Sequence, residues 1–271
     1  DARVDWATAE ELAFASILAE GTPIRLSGQD SERGTFSHRH AVLRDLKTGE
    51  RWTPLHHLPQ SKATFEVYNS PLSEAAVLGF EYGYSVQEPS RLVLWEAQYG
   101  DFANGAQVII DQYIMSGREK WAQTPSLVLL LPHGHEGAGP DHSSARLERF
   151  LQMAAKINSR IAYPTTAAQY FHLLRRQALL LTTDPLPLIV MSPKSLLRKE
   201  AVFSTVNDLA EGRWRPVLPD VDADAEQVTR LVLCSGKFYY DLVESDHRAA
   251  NPHVAIARIE QLYPLPVREL K

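Results

Sequence analysis

The chain has 271 residues, and its 44% hydrophobic and 23% charged residues are the balance of a soluble globular protein that can bury a sizeable core. Its formal net charge of −5 excludes the basic field needed for non-specific binding to nucleic acid, and no apolar run approaches the roughly 20 residues that span a bilayer. The single cysteine, Cys234, excludes an intrachain disulfide and a cysteine-rich metal site, and a reducing compartment fits best.

The first part of the chain is predicted to alternate between helices and short strands. Thr8-Ala9-Glu10-Glu11 has the form of a capping box and predicts a helix to about residue 19, which Gly21 ends. A short strand at 24–26 is followed by a polar loop at 27–40. Further strands are predicted at 65–68, 92–95 and 127–131, and a further helix at 106–115.

The pair Ser70-Pro71 predicts the start of another helix, with Ser70 as N-cap and proline at the first helical position. Glu74 then lies in the first turn, where a carboxylate is stabilised by the positive end of the helix dipole. By position alone, an ordinary dipole interaction is the simpler interpretation of Glu74.

The alternation continues with helices at about 146–157 and 167–181 and strands at 161–163 and 188–191. The wholly apolar run at 127–131 is typical of a parallel strand that is covered on both faces. Strands and helices that alternate at this spacing predict an α/β fold with a parallel sheet.

A second unit is predicted after residue 195. Its proline-rich and acidic stretch at 213–226 indicates an exposed connection. A strand, a helix and a strand then follow at 231–234, 237–249 and 254–259. One such unit is too small for an independent core, so it is expected either to be truncated or to lean on the first unit.

Three polar loops follow predicted strands, where open parallel sheets bind ligands: 29–40, 69–74 and 133–144. The third contains three histidines and two carboxylates, which could bind zinc, cap the next helix or transfer protons. The basic first loop, with Arg33, His38, Arg39, His40 and Arg44, could hold an anion or be a solvated or interface loop. The sequence has no GxSxG elbow and no GxGxxG turn, which argues against a serine hydrolase and a Rossmann phosphate site.

Several long strings resemble the thiamine-diphosphate-dependent dehydrogenase component of 2-oxoglutarate dehydrogenase complexes. Asn69-Ser70-Pro71-Leu72-Ser73-Glu74 is one, and Trp95 to Gln107, with its Gly-Asp-Phe-Ala-Asn-Gly core, is another. The other matching strings lie at 25–30, 33–40, 79–85, 142–150, 170–176 and 258–264. The resemblance therefore covers nearly the whole chain.

This resemblance implies a pyrimidine-binding domain of the transketolase type at residues 1–194. Residues 195–271 would be a linker and the first part of a transketolase C-terminal-like domain, apparently truncated. The diphosphate and Mg²⁺ ligands are expected in an upstream domain, because the chain contains no GDG…N motif. The chain also has no initiator methionine and no signal-peptide layout, so a fragment or processed piece is expected.

The resemblance also implies roles for particular residues. Glu74 matches the glutamate that hydrogen-bonds N1′ of the cofactor's aminopyrimidine, and for that role it should be buried and protonated for part of the cycle. His142 matches an active-site histidine that transfers protons around the substrate or lipoyl thiol. The remaining implied contacts are Phe102, with Tyr99 second, against the pyrimidine, and Gln29, His38 and His40 toward the substrate or, for the histidines, the dimer partner.

The implied activity is oxidative decarboxylation of 2-oxoglutarate, with transfer of the succinyl group to the lipoyl group of a dihydrolipoyl succinyltransferase. A homodimer in the bacterial cytoplasm or mitochondrial matrix is implied as well. The alternatives are a 2-oxoadipate dehydrogenase, a 2-oxoglutarate decarboxylase or carboligase of the same family, a non-catalytic regulatory module, and a zinc-dependent hydrolase.

Overall fold

The computed structural model describes residues 2–136 and 139–271. The strands and helices in chain order are β1 (Arg3–Val4), α1 (Trp6–Ala19), β2 (Ile24–Gly28), β3 (Leu43–Arg44), β4 (Arg51–Trp52), β5 (Phe65–Asn69), α2 (Glu74–Gln87), β6 (Leu92–Glu96), α3 (Gln107–Ile109), α4 (Gly117–Trp121), β7 (Val128–Pro132), α5 (Leu147–Met153), β8 (Arg160–Ala162), α6 (Ala167–Leu179), β9 (Leu188–Ser192), β10 (Ser204–Thr205), α7 (Val206–Ala210), β11 (Val217–Leu218), β12 (Arg230–Cys234), α8 (Phe238–Val243), α9 (Asp246–Ala250), β13 (Val254–Ile259) and β14 (Gln261–Tyr263). Within the described ranges, no helix is both long and apolar enough to cross a membrane.

A seven-stranded sheet with the order β14-β8-β9-β7-β6-β2-β5 forms the centre of the molecule. All neighbouring strands in it are parallel except β14, which runs antiparallel to β8. The predicted α/β fold with a parallel sheet is confirmed. Because the strands are parallel, the loops that follow β2, β5, β6, β7 and β9 all leave from one edge of the sheet.

Apolar side chains cover both faces of this sheet. Every residue of β6 and β7 is buried, as the continuous apolar runs predict. Helices α1 and α6 pack on one face, where Trp6 and Tyr170 stack with ring centroids 4.5 Å apart. Helix α2 and the segment from 100 to 115 cover the other face.

Two predicted helix starts are wrong. Helix α1 begins at Trp6, because the Asp5 carboxylate accepts the Thr8 backbone N–H at 2.7 Å and caps the helix before Thr8. Helix α2 begins at Glu74, capped by Ser73, and not at Ser70. The Ser70 N–H donates to the Gly28 carbonyl at 2.7 Å, which keeps Ser70 in line with the sheet.

Two helices also differ from the prediction in their regularity. The predicted helix at 106–115 is a 3₁₀ turn (Gly100–Ala106), the short α3 and a π-helical turn (Ile110–Ile114). The predicted helix at 237–249 divides into α8 and α9, because the Ser245 hydroxyl accepts the Arg248 N–H and caps a new helix.

The C-terminal part forms a small sheet with the order β11-β13-β12. Strand β11 lies inside the stretch predicted as an exposed connection and pairs antiparallel with β13. This part leans on the first unit, because β14 joins the large sheet and the Tyr240 hydroxyl donates to the Thr165 carbonyl at 2.6 Å. The predicted boundary at residue 194 stays a prediction.

Candidate active site

Gln29 and Glu74 meet at the carboxyl edge of the large sheet. Gln29 directly follows β2, and Glu74 is the first residue of α2, just beyond the neighbouring strand β5. The Gln29 side-chain amide donates to Oε1 of Glu74 at 2.9 Å. The first turn of α2 places that carboxylate at the positive end of the helix dipole, as predicted.

Glu74 is half-buried in this chain, which is less than the burial expected for its implied role. Glu74 begins α2 at the protein surface, where two apolar side chains, Leu72 just before the helix and Phe80 within it, are 84% and 58% exposed. Gly105 lies close to the Glu74 carboxylate, because a Cβ atom at Gly105 would be 3.3 Å from Oε2 of Glu74. The absence of a side chain at Gly105 leaves that oxygen accessible.

A second cluster joins His142 to two aromatic rings from the loop after β6. The His142 ring lies 4.0 Å from the Tyr99 ring and 6.2 Å from the Phe102 ring, measured between centroids. The two aromatic rings are themselves 5.6 Å apart in an edge-to-face arrangement. The structure therefore brings His142 together with Tyr99 and Phe102, the two aromatic residues predicted to contact the cofactor.

The loops after β6 and β7 are held in close contact at this cluster. A Cβ atom at Gly100 would lie 2.4 Å from Cβ of Ala145, so only glycine allows the approach. Nε of Arg146 donates to the buried Asp101 carboxylate at 2.8 Å. This pair was not predicted, because nothing in the sequence relates the two residues.

His133 begins the loop after β7. Its Nδ1 atom accepts the Ala145 backbone N–H at 3.0 Å, just ahead of α5. Burial, the largest cause, and the nearby His135 and Lys194 together lower the pKa of His133 to about 4, so the imidazole is neutral and can accept this bond. His133 thus bonds to the loop just before α5, and among the described residues no side chain caps this helix, so the predicted capping by a histidine is not observed.

His38 and His40 lie elsewhere. Nε2 of His38 is 3.8 Å from a carboxylate oxygen of Glu96, and Nε2 of His40 lies 3.1 Å from the Ser37 carbonyl on the surface. Burial and the Arg39 charge lower the pKa of His38. Among the residues that the structure describes, neither histidine forms a hydrogen bond, ion pair or ring contact with Gln29, Glu74 or His142.

The basic loop is neutralised by carboxylates. Arg39 is fully buried and donates to Glu10 at 2.6 Å and to Glu96 at 2.7 Å, and Glu10 also accepts from the Tyr170 hydroxyl. Although burial opposes it, the Arg39 charge lowers the pKa of Glu10 below its usual value. Arg33 and Arg44 likewise pair with Asp30 and Glu32. The structure therefore does not support the anion-binding interpretation.

The burial of Glu10 was not predicted from the sequence, although its spacing in α1 indicates this. It lies four residues after Trp6 and four before Phe14, which are both buried on the core face of α1. A carboxylate at that spacing must face the core, and a buried carboxylate needs a cation.

A model of the transketolase pyrimidine-binding domain matches residues 2–200, and a model of the 2-oxoglutarate dehydrogenase C-terminal region matches residues 203–271. The chain belongs to the transketolase pyrimidine-binding domain family.

Curated relatives include 2-oxoglutarate dehydrogenase E1 components. That of Bacillus subtilis (strain 168) is 57% identical over 278 residues, which cover 100% of this chain and 29% of the relative. That of Bacillus cereus (strain AH820) is 57% identical over 276 residues, 99% of this chain and 29% of the relative. The chain thus spans about 29% of the length of these relatives. The predicted family resemblance is confirmed.

A pyrimidine-binding domain of this family implies thiamine diphosphate as the cofactor. The residues at the sheet edge fit the pyrimidine half of that molecule. Glu74 offers a carboxylate with one oxygen bare toward Gly105, and Tyr99 and Phe102 offer faces for a flat ring. By contrast, no group of three potential metal ligands forms within residues 2–136 and 139–271, so the zinc interpretation gains no support there.

Proposed function

We propose that the protein is the E1 component of a 2-oxoglutarate dehydrogenase complex and that this chain supplies the pyrimidine side of its cofactor site. The observation that carries the proposal is the Glu74 carboxylate, which Gln29 holds at 2.9 Å in the first turn of α2, in a chain 57% identical to relatives of that name. In this reaction 2-oxoglutarate loses CO₂, and its succinyl group acylates a lipoyl group while the lipoyl disulfide is reduced.

Thiamine diphosphate, when bound, supplies the electron sink for the decarboxylation. Glu74 would hydrogen-bond its ring nitrogen N1′ and hold a proton at that atom. Gln29 fixes the orientation of the carboxylate, so the second oxygen keeps its place. Tyr99 and Phe102 would pack against the pyrimidine and exclude water.

His142 would move a proton at the substrate oxygen or at the lipoyl thiol. Its contact with Tyr99 places the imidazole beside the same aromatic surface. One well-placed proton transfer typically contributes roughly 10²–10⁴ in rate. Gln29, His38 and His40 are our candidates for contacts to the substrate, of which Gln29 has the best support because it touches Glu74.

A homodimer would complete the site. Two apolar side chains, Leu72 just before α2 and Phe80 within it, are largely exposed, and a partner subunit would cover them. A second subunit over this surface would also bury Glu74, and the burial would favour its protonated form against the helix dipole. The diphosphate and Mg²⁺ ligands would come from the upstream domain, and a lipoylated dihydrolipoyl succinyltransferase would accept the acyl group in the bacterial cytoplasm or mitochondrial matrix.

The test is Glu74→Gln in the full-length protein that contains this chain. We expect decarboxylation of 2-oxoglutarate to fall by roughly 10²-fold or more, because glutamine cannot carry the proton, while the melting temperature changes little. Glu119→Gln is the matched control, since Glu119 lies in the first turn of α4 and is 60% exposed in its pair with Lys156. Unchanged turnover in the Glu74 variant would refute the proposal, and faster turnover of 2-oxoadipate would refute the substrate.

A further inference from the structure

The loops that carry His142 and Lys194 start side by side. Strands β7 and β9 are parallel neighbours, with Pro132 opposite Ser192 at their ends. The His133 N–H extends the pairing by donating to the Ser192 carbonyl at 2.9 Å. Lys194 is therefore two residues beyond the last ladder position, where its long side chain can reach across the neighbouring loop.

Two bonds connect these loops, and in both the donor lies in the loop after β9. The Lys194 ammonium donates to the backbone carbonyl of His142. The Ser195 N–H donates to a carboxylate oxygen of Glu136 at 3.0 Å. Burial lowers the pKa of Lys194, and the Glu136 charge acts against that shift, so the ammonium form is supported by the loop it holds.

The bond from Lys194 matters because of where the His142 carbonyl lies. His142 is the last residue of a three-residue 3₁₀ turn, Pro140–His142. Such turns have weak internal hydrogen bonds, and the carbonyls at a helix end need partners from outside. A cation on the His142 carbonyl fixes that peptide plane and, with it, the direction in which the imidazole leaves the backbone.

We infer that Lys194 is a positioning residue for His142, whose backbone it holds so that the imidazole stays against Tyr99. This inference rests on the proposed function for its catalytic consequence. Lys194 acts on the main chain of His142 and not on its imidazole. The Arg146–Asp101 pair holds the same loop at a second point, just before α5.

The test compares Lys194→Met, Lys194→Arg and the control Lys156→Met in the full-length protein. Lys156 is 73% exposed, so its variant loses only an exposed ion pair with Glu119. For Lys194→Met we expect kcat to fall about tenfold to a hundredfold, since a small misplacement of a reacting group has that effect. KM and the Kd of thiamine diphosphate should change less than twofold, because Gln29 and Glu74 are on other loops.

Amide hydrogen exchange provides a readout that does not depend on turnover. In the cofactor-free protein, peptides covering 139–146 should exchange faster in Lys194→Met, while peptides covering 69–78 should not. Lys194→Arg should recover most of kcat and protection, because it keeps a cationic donor.

Wild-type kcat and protection in Lys194→Met would overturn the inference, and so would a Lys194→Arg variant as impaired as Lys194→Met. A general loss of protection would indicate a structural role and also overturn it. Failure of the proposed function is distinguishable, because it would show as a wild-type protein inactive on 2-oxoglutarate, with the exchange result still measurable.

Discussion

Replacing Arg39 by methionine tests the buried charge network beneath the candidate site. The side chains of Arg39, Glu10 and Glu96 are 1%, 1% and 6% exposed, and Arg39 donates to the two carboxylates at 2.6 and 2.7 Å. Methionine keeps the apolar stem but leaves two buried carboxylates without their cation. Because removing one partner of a buried ion pair typically costs about 3–5 kcal/mol, we expect Arg39→Met to lower the free energy of unfolding at pH 8 by about that amount.

The pH dependence of this loss has a definite sign. In the native protein the Arg39 charge outweighs burial and lowers the pKa of Glu10. The contribution of Glu10 is then present above its unfolded pKa of 4.5 and is lost as pH falls through the lower folded value. Without Arg39, burial alone raises the folded pKa, and stability is lost as pH rises through it. The deficit of Arg39→Met should therefore shrink between pH 8 and pH 5.

Urea unfolding followed by tryptophan fluorescence at the two pH values measures this deficit. Arg44→Met is the matched control from the same loop, because Arg44 is 56% exposed and meets Glu32 at 3.3 Å. Such a surface pair contributes about 0–1 kcal/mol. The role assigned to Arg39 is refuted if Arg39→Met is as stable as the control at pH 8. It is also refuted if the loss in the free energy of unfolding is larger at pH 5 than at pH 8.

Three further predictions concern the site and its surroundings. Gly105→Ala should weaken thiamine diphosphate binding several-fold by calorimetry, because its Cβ would come within 3.3 Å of Oε2 of Glu74; an unchanged Kd would count against the assigned face. In His133→Gln the free energy of unfolding should change less between about pH 6.5 and pH 4 than in the wild type. The lowered pKa of His133 stabilises the folded state above about pH 6.5, and this contribution is lost as pH falls toward 4. An equal change in both proteins in urea titrations would contradict this. Phe80→Glu should shift the full-length protein toward monomer in sedimentation, since Phe80 is a large apolar side chain of the helix that Glu74 begins and is 58% exposed; an intact dimer would exclude this surface.

The large sheet was predictable because its signals are local. An apolar run such as 127–131 reports its own burial, and β7 indeed has every residue buried. Helix starts were less predictable, because several polar residues compete for the same cap. Ser70 and Ser73 are both suitable, and only the bond from the Ser70 N–H to Gly28, a residue of β2, decides between them.

The antiparallel strand β14 shows a different limit. Its residues pair with β8, about a hundred positions earlier, and the choice of that edge is made by the packing of the C-terminal part on the first unit. In the candidate site, Gln29 and Glu74 were both named from the sequence, but their contact depends on β2 and β5 being neighbours, which the sequence did not predict. The partners of Glu10 and Lys194 were not predicted either, because no local sequence pattern indicates them.

Three of the contacts that the sequence did not predict lie at the carboxyl edge of the sheet, and in each a cationic side chain connects two neighbouring loops. Arg39 joins the loop after β2 to the end of β6 by donating to the Ser31 carbonyl and to Glu96. Arg146 joins the loops after β6 and β7 through Asp101, and Lys194 joins the loops after β7 and β9 through the His142 carbonyl.

A cation therefore links each loop to the next across the sequence of neighbouring strands β2, β6, β7 and β9. The linked residues are 57, 45 and 52 positions apart along the chain. Charge-assisted bonds of this kind are short and directional, so they can hold irregular loops that lack the regular bonds of a helix or strand. Three cations thus hold the loops that carry the candidate catalytic groups, and a loss of Arg146 or Lys194 should disturb its own pair of loops before it disturbs the sheet.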